Sequence, residues 1–425
     1  MPVPTSLLRR TTQCCATKRW LNWLHPRQGA SQNLLLWNGT DATVASRIEY
    51  EGRTYEAPDV HPSILGTMRL PTGCANYTST RKLFMRIAGL FTQYFDLPDQ
   101  DASLLAYFAL STHFVDFLPS APGLLISGPD VYSAIGLLRL LGSVCRRPLM
   151  LAEITAGGFR SLPMHLHPTL LINQSGLTPR MAALLHSSRH RGLNVPGSSG
   201  NVLDLYGARA IFMGMDAGDS LGCGDLIRIS QTPAQPHSPV LGGVCLDQIA
   251  RELQPQLLMY RLANWRKVQE SEFDVLKFTF PMRELARNLG ACIVDDPELA
   301  QRLSLLLDAQ DEDVRTQRCT DIRYVIVEVI LVLLHKRELS AVRVEKIADL
   351  TNVLLRSRGE IIEYSAVEVG WNLRHLGLCR HRDGMGKSLS LNSDTSRRVH
   401  EWARSWGVLS RQNALDECPD CAAPT

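Results

Sequence analysis

Between residues 123 and 230 the chain carries five short apolar runs: Gly123–Ser127, Leu149–Ala152, Thr169–Gln174, Arg209–Gly214 and Leu226–Ser230. None alternates strictly between polar and apolar residues, so none reads as a half-exposed strand. Near-continuous apolar runs of this length are strands buried on both faces. Helical patterns lie between them, at 131–143 and from Arg180 to Ser187. Short buried strands alternating with helices predict an α/β domain with a mostly parallel sheet covered on both faces.

Helical flanks are expected on either side. Thr78, Ser79 and Thr80 offer N-caps to a helix whose Leu83, Phe84, Ile87, Leu90 and Phe91 share one face. A second helix is expected from Asp101 to Phe117, capped within Asp99–Ser103. The three prolines of residues 231–240 mark a linker. Helix candidates at 245–270 and 296–308 follow it and would pack beside the sheet. The organisation expected is an irregular basic region over 1–77 with a small hairpin around Ile48–Tyr55, an α/β domain over 78–240, a helical connector over 241–320, a further domain over 321–408 and a disordered tail over 409–425. A chain of 425 residues suits two to three domains.

The first 40 residues hold Arg9, Arg10, Lys18, Arg19 and Arg27, no acid and no continuous apolar stretch, and read as a basic disordered leader rather than a secretory signal. The strongest apolar run, Tyr324–Leu334, is broken by Glu328 and is far shorter than the roughly 20 residues a bilayer needs. A soluble cytoplasmic protein with no membrane partner is expected. Eleven cysteines without framework spacing, several inside apolar runs (Cys145, Cys292, Cys379), suit reduced thiols. The formal net charge of +3 says little about partners.

The turn after the first expected strand has the layout of a phosphate-binding loop: strand, Gly128-Pro129, helix. A working loop needs glycines whose N–H groups wrap the phosphates, a Lys for the β and γ phosphates, and a Ser or Thr for Mg²⁺. With Gly128 on the first motif glycine, Ser133 falls on the second glycine, Ala134 on the lysine and Ile135 on the Ser/Thr. Asp130 adds a negative charge where phosphate would sit. The strand Thr169–Gln174 ends in the amides Asn173 and Gln174, where an ATPase places acids to support the metal and polarise water. The two losses agree, so no catalytic residue and no cofactor is expected.

Taken in order, the segments leading to ISGP, then HPTLLINQ, LLHSSRHRGLNVPG, YGARAIFMGM and LGCGDLIRIS resemble the helicase- or primase-associated, AAA+-like P-loop ATPases of plasmids, phages and other mobile genetic elements. The resemblance runs from about residue 82 to 230, about a third of the chain. It implies that Arg191-Gly192 is the pair following the second motif and that Tyr206–Met215 holds the sensor strand. It also implies that Leu221–Ile229 is the segment that often bears an arginine finger, with Gly224 at that arginine's place. The signature residues themselves are missing, which puts ATP hydrolysis in doubt.

Residues 321–408 read as a winged helix: helices Arg323–His335 and Arg343–Leu355, a third helix capped by Ser365 and ended by Gly377, a two-stranded wing turning at residues 383–386, and a last helix from Asp394 to Trp406 with Asp394 as its cap. Asn372, Arg374 and His375 would lie on the recognition helix, Arg380, Arg382 and Lys387 on the wing, and Arg397 and Arg398 at the start of the last helix. From 371 to 400 there are 6 Lys+Arg against 2 Asp+Glu, enough for several phosphate contacts. The same basic face would also suit a packing module.

Cys418 and Cys421 have the spacing of half a zinc site, but no second such pair or nearby His pair follows in sequence, so no metal is expected. His165 and His167 would face one side of a strand and lack a third ligand. Met213 and Met215 read as core, and the acidic run Asp308–Asp313 as solvated. The function expected is that of a non-catalytic pseudo-ATPase, DNA-binding or scaffolding, in replication, maintenance or regulation of mobile-element DNA. Its partners would be DNA and either further copies of itself or a partner ATPase. Two alternatives stand beside it: an ATPase or helicase with non-standard or partner-supplied catalytic residues, and a winged-helix transcriptional regulator.

Overall fold

The computed structural model describes residues 20–24, 33–37, 42–50, 53–56, 60–197, 200–214, 225–231, 239–293, 295–336, 339–378, 380–383, 386–408 and 418–422. The expected basic leader positions Arg9, Arg10, Lys18, Arg19 and Arg27, most of the proline linker, and Gly224, Met215 and Cys379 lie outside them. The chain divides into two compact units: one runs up to Val275 and adds Pro281–Leu307, the other joins Leu276–Phe280 to the chain from Asp308 onward. No helix among the described residues is long and apolar enough to cross a membrane.

In the first unit, strands β1 (Trp20–Leu24), β2 (Asn33–Trp37) and β3 (Ala42–Ala45) pair antiparallel in that order. Strands β4 (Arg47–Tyr50) and β5 (Arg53–Glu56) form the hairpin expected from the alternation at Ile48–Tyr55. The expectation of an otherwise irregular region before residue 77 is thus corrected. Leu35 and Trp37, two apart on one face of β2, bury against Leu258 and Leu262, so these strands depend on a surface more than 200 residues away in the chain.

A single helical turn, α1 (Pro62–Leu65), leads to α2 (Thr80–Phe95) and α3 (Asp99–Thr112). Ser79 caps α2, its hydroxyl accepting from the Lys82 N–H at 3.2 Å, and Leu83, Phe84, Ile87 and Phe91 are buried as their spacing predicts. Next come β6 (Gly123–Ser127), α4 (Val131–Val144), β7 (Pro148–Leu151), α5 (Ala156–Ser161), β8 (Thr169–Gln174) and α6 (Pro179–Ser187). A small hairpin, β9 (Asn194–Pro196) and β10 (Val202–Asp204), precedes β11 (Arg209–Met213) and β12 (Ile227–Ser230). Helices α7 (Gly243–Gln269), α8 (Phe280–Ala291) and α9 (Pro297–Arg318) follow.

The five strands expected from the apolar runs all form, and all pair parallel in the order β12-β6-β11-β8-β7. Leu170 and Ile172 of β8 pack into a cluster with Phe159 of α5 and Met181 and Leu185 of α6, while Leu171 approaches Gly142 of α4 from the other face. This two-sided burial is why the runs are continuous rather than alternating. The first unit is therefore an α/β domain of the P-loop NTPase-like class.

The second unit contains α10 (Ile322–Lys336), β13 (Ala341–Arg343), α11 (Val344–Ser357), α12 (Ala366–His375), β14 (Arg380–Asp383), β15 (Gly386–Ser390), α13 (Ser393–Trp406) and α14 (Pro419–Ala422). Its strands form an antiparallel sheet in the order β13-β15-β14. Val325, Ile330, Ile347, Val369, Leu373, Leu389 and Val399 make its core. A capping box at Ser365 and Glu368 starts α12, and Gly377, at φ 71°, ends it.

Three expectations change here. Helix α13 is capped by Asn392, whose side chain accepts from the Thr395 N–H at 2.9 Å; Asp394 sits in the first turn and pairs with Arg397 at 3.3 Å. In the described part of the expected disordered tail, residues 418–422, Cys418 is buried and α14 packs on α13. In the acidic run, Asp311 is buried and accepts from Thr279, its main-chain N–H at 3.3 Å and its hydroxyl, rather than facing solvent.

Candidate functional site

The carboxyl edge of the parallel sheet is where an α/β domain places a ligand. Register aligns Ser230, Ser127, Met213 and Gln174 in one row across β12, β6, β11 and β8. Neighbouring strands lie about 4.8 Å apart, so Ser127 and Gln174 stand about 10 Å from each other. The turn after β6 and the end of β8 thus reach the same edge. Met213, on the strand between them, is fully buried, as a core residue should be.

The turn after β6 is short. Only Gly128, Pro129 and Asp130 separate the strand from α4, which has begun at Val131. A phosphate-wrapping loop would stay non-helical to the second motif glycine, here Ser133. Instead Val131, Tyr132 and Ser133 are already helical. Gly128 is buried against the end of β12: the Gln231 N–H donates to the Ser127 carbonyl at 2.7 Å, and a Cβ at Gly128 would stand 2.4 Å from the Gln231 carbonyl oxygen. Pro129 is exposed.

A helix N-terminus attracts an anion through its unpaired N–H groups and its dipole. At α4 that place is taken by the chain's own carboxylate. Asp130 accepts from the Tyr132 N–H at 3.0 Å and from the Ser133 hydroxyl. The Ser133 hydrogen bond, aided by the backbone N–H groups, holds the Asp130 carboxyl below its ordinary range. Ala134, at the lysine position, is fully buried, and Ile135 is half-buried. The first turn shows solvent Val131 and Tyr132, 45% and 88% exposed, and no cation. Arg139, in the same helix, starts about 12 Å further along its axis.

At the end of β8, Asn173 is half-buried and Gln174 is buried. The Gln174 carbonyl accepts from the Ile154 N–H at 3.0 Å and its amide donates to the Gly176 carbonyl at 2.8 Å, so the side chain ties two loops together. Arg191 likewise serves the fold: it donates to the Leu118 carbonyl at 2.7 Å and lies over the Tyr206 ring. His165 and His167 do not lie on a strand, so the arrangement in which they would share a face does not arise. A 3-10 turn at Met164–Leu166 leaves His165 exposed and His167 half-buried at φ 48°.

Sequence patterns carry no sign of a buried charge cluster on the opposite side of the sheet, before β7. Arg146, Arg147 and Arg261 are all buried there around Asp116. Arg261 donates to Asp116 at 2.7 Å, and Arg146 stands 3.5 Å from it. Burial alone would raise the Asp116 carboxyl, but Arg146 and Arg261 outweigh it and hold the group well below the carboxylate range. Burial, reinforced by the two arginines, pushes His113 down to about 3, so it is neutral and donates from Nε2 to the Val144 carbonyl at 3.0 Å. Burial, with Arg146 and Arg147 nearby, likewise brings His167 down to about 4.

A trio of His186, His190 and Asp225 could approach a cation, but Arg189 already donates to Asp225 at 2.8 Å and would repel one.

In the second unit, Arg374 and His375 are exposed on α12 beside Trp371, itself 66% exposed. The Asn372 amide donates back to the Glu368 carbonyl at 2.9 Å. Lys387 is exposed on β15, opposite Arg382 in register; Arg380 and Arg382 lie on β14, and their side chains are outside the described residues. Arg397 is exposed. Arg398 donates to the Gly377 carbonyl and so closes the end of α12.

No protein-family model matches the chain, and no curated protein matches it. Among solved structures, the A form apo structure of the NrS-1 C terminal region is similar at 8% identity and TM-score 0.36, covering 87% of this chain and 96% of that one. A full-length MCM homolog from Methanopyrus kandleri is similar at 12% identity and TM-score 0.37, covering 67% of this chain and 74% of that one. The Drosophila ORC bound to DNA is similar at 11% identity and TM-score 0.17, covering 82% and 96%. At these values the class of the fold rests on the strand order and burial of this chain itself.

Proposed function

We propose that this chain is a pseudo-ATPase: a non-catalytic component, DNA-binding or scaffolding, of a machine that replicates, maintains or regulates mobile-element DNA. The observation that carries the reading is the filled anion seat at α4. There a helix that starts too early leaves no loop to wrap phosphates, and Asp130 occupies the place a phosphate would take. The phosphates of a ligand such as ATP would meet the fixed Asp130 charge at close range, where two like charges 4 Å apart repel by about 4 kcal/mol at an effective dielectric of 20. Gln174 adds to this, because an amide tied to two backbone groups holds no metal and takes no proton.

The DNA part of the reading rests on the second unit, which we interpret as a winged helix. Helix α12 would enter a groove, with Arg374 and His375 at the bases or phosphates, and Lys387 on the hairpin would reach an adjacent phosphate. The test is an electrophoretic shift on single- and double-stranded DNA, with and without ATP and Mg²⁺. The expected result is a salt-dependent shift that nucleotide leaves unchanged. ATP-dependent binding would contradict the pseudo-ATPase reading, and no shift at low salt would contradict the DNA reading.

A further inference from the structure

We infer that the second unit holds a structural zinc ion between His335, His400, Cys418 and Cys421. The four side chains come from three places in the unit: the last turn of α10, the middle of α13, and the short segment at α14. Their ligand atoms all lie within 4.8 Å of one another. His335 Nε2 stands 3.2 Å from His400 Nε2, Cys418 Sγ 3.4 Å from His400 Nε2, and Cys421 Sγ 3.3 Å from His335 Nε2. A tetrahedral zinc with Zn–N near 2.05 Å and Zn–S near 2.3 Å requires N–N edges of about 3.35 Å and N–S edges of about 3.55 Å. The three observed edges match those values to within a few tenths of an ångström.

The donor set is also chemically right. Two imidazoles and two thiols are the set of a closed zinc site, with no fourth position left for water, so the ion would hold structure rather than catalyse. His400 is 1% exposed and Cys418 8%, which suits a closed site. The outer partner of His400 orients it: Nδ1 donates to the Ser396 carbonyl at 2.7 Å, which leaves the Nε2 lone pair aimed at the cluster. The loop bearing the thiols is itself held, since Ser396 donates to the Asp420 carboxylate and Arg404 to the Asp420 carbonyl. Both thiols are free of disulfides.

The expectation of no metal at this pair rested on ligands close in sequence. His335 and His400 lie 86 and 18 residues from their cysteine neighbours and are brought in only because α10 packs on α13. The ion would clasp the end of the chain to these two helices. This inference stands independently of the pseudo-ATPase reading.

The test uses the full chain without a histidine tag, purified under reducing agent and loaded with zinc alone. Metal analysis is expected to give one zinc per chain, and replacement by cobalt is expected to give the visible absorption of a tetrahedral site with thiolate-to-metal charge transfer. The Cys418→Ser/Cys421→Ser variant should lose the zinc and the cobalt spectrum, while Cys319→Ser, which changes a thiol of the same unit outside the cluster, should keep both. Zinc content of the unaltered protein no higher than that of the double variant overturns the inference, as does a cobalt spectrum without thiolate charge transfer. The cobalt measurement on the unaltered chain decides the matter even where the variants fold poorly.

Discussion

Single residues decide what the carboxyl edge of the sheet can do. Ala134 is fully buried, so a lysine placed there would not reach a ligand at this edge without repacking. In the triple variant Ser133→Gly/Ala134→Lys/Ile135→Thr, the new lysine would enter a packed apolar site. The variant should lose at least about 3 kcal/mol, read as a lower urea midpoint, and gain no ATP hydrolysis. A stable variant that hydrolyses ATP would mean that the turn after β6 is a phosphate loop lacking only its lysine. The histidines at the other end of the sheet make a second prediction. Both states are neutral above the ordinary imidazole value of about 6.5; below it the unfolded chain takes up protons that folded His113 and His167 refuse. Stability therefore falls as pH drops from about 6.5 toward the folded values of about 3 and about 4. Between pH 7 and 5 each histidine should account for about 2 kcal/mol of that loss. Denaturant titrations at the two pH values should show a smaller difference for His113→Gln than for the unaltered chain, and an equal difference would remove His113 from the account.

At the scale of elements, the five parallel strands were legible because each is a short apolar run buried on both faces, a pattern that survives without knowing the partner strand. Caps at Ser79 and Ser365 were legible for the same local reason. The strands before residue 57 were legible only at the β4–β5 hairpin, because burial of Leu35 and Trp37 depends on Leu258 and Leu262. The cation cluster around Asp116 escaped sequence reading, and of the His335, His400, Cys418 and Cys421 set only the cysteine pair was legible: Arg261 and the two histidines come from distant parts of the chain and join these groups only through packing. Among the basic residues expected on the DNA face, side-chain partners separate two kinds. Arg374, Lys387 and Arg398 are all exposed, but the Arg398 guanidinium already donates to the Gly377 carbonyl at the end of α12. Arg374→Ala with Lys387→Ala should weaken duplex binding by a similar factor on every sequence and reduce the salt slope by about 2. Arg398→Ala should instead lower the stability of the unit by about 1 kcal/mol. A double variant with unchanged affinity would take α12 and β15 out of the DNA face.

For the whole molecule, two compact units carry two different chemistries. The first has the sheet and helix order of a P-loop NTPase-like domain, and at the carboxyl edge of its sheet Asp130 and Gln174 bond to the chain's own backbone. The second gathers basic residues on α12 and β15 and nitrogen and sulfur ligands between α10, α13 and α14. Burial of the strands, not a phosphate site, supplies most of the stability of such a fold, so the fold alone does not decide the chemistry. Whether hydrolysis has been lost is therefore the central claim. It is tested most directly by single-turnover phosphate release from labelled ATP with Mg²⁺, with the full chain in excess, with and without DNA. The account predicts release equal to the protein-free blank in both cases. Release above the blank that persists through purification and disappears in Asn173→Ala/Gln174→Ala would contradict it and place a working site at the end of β8.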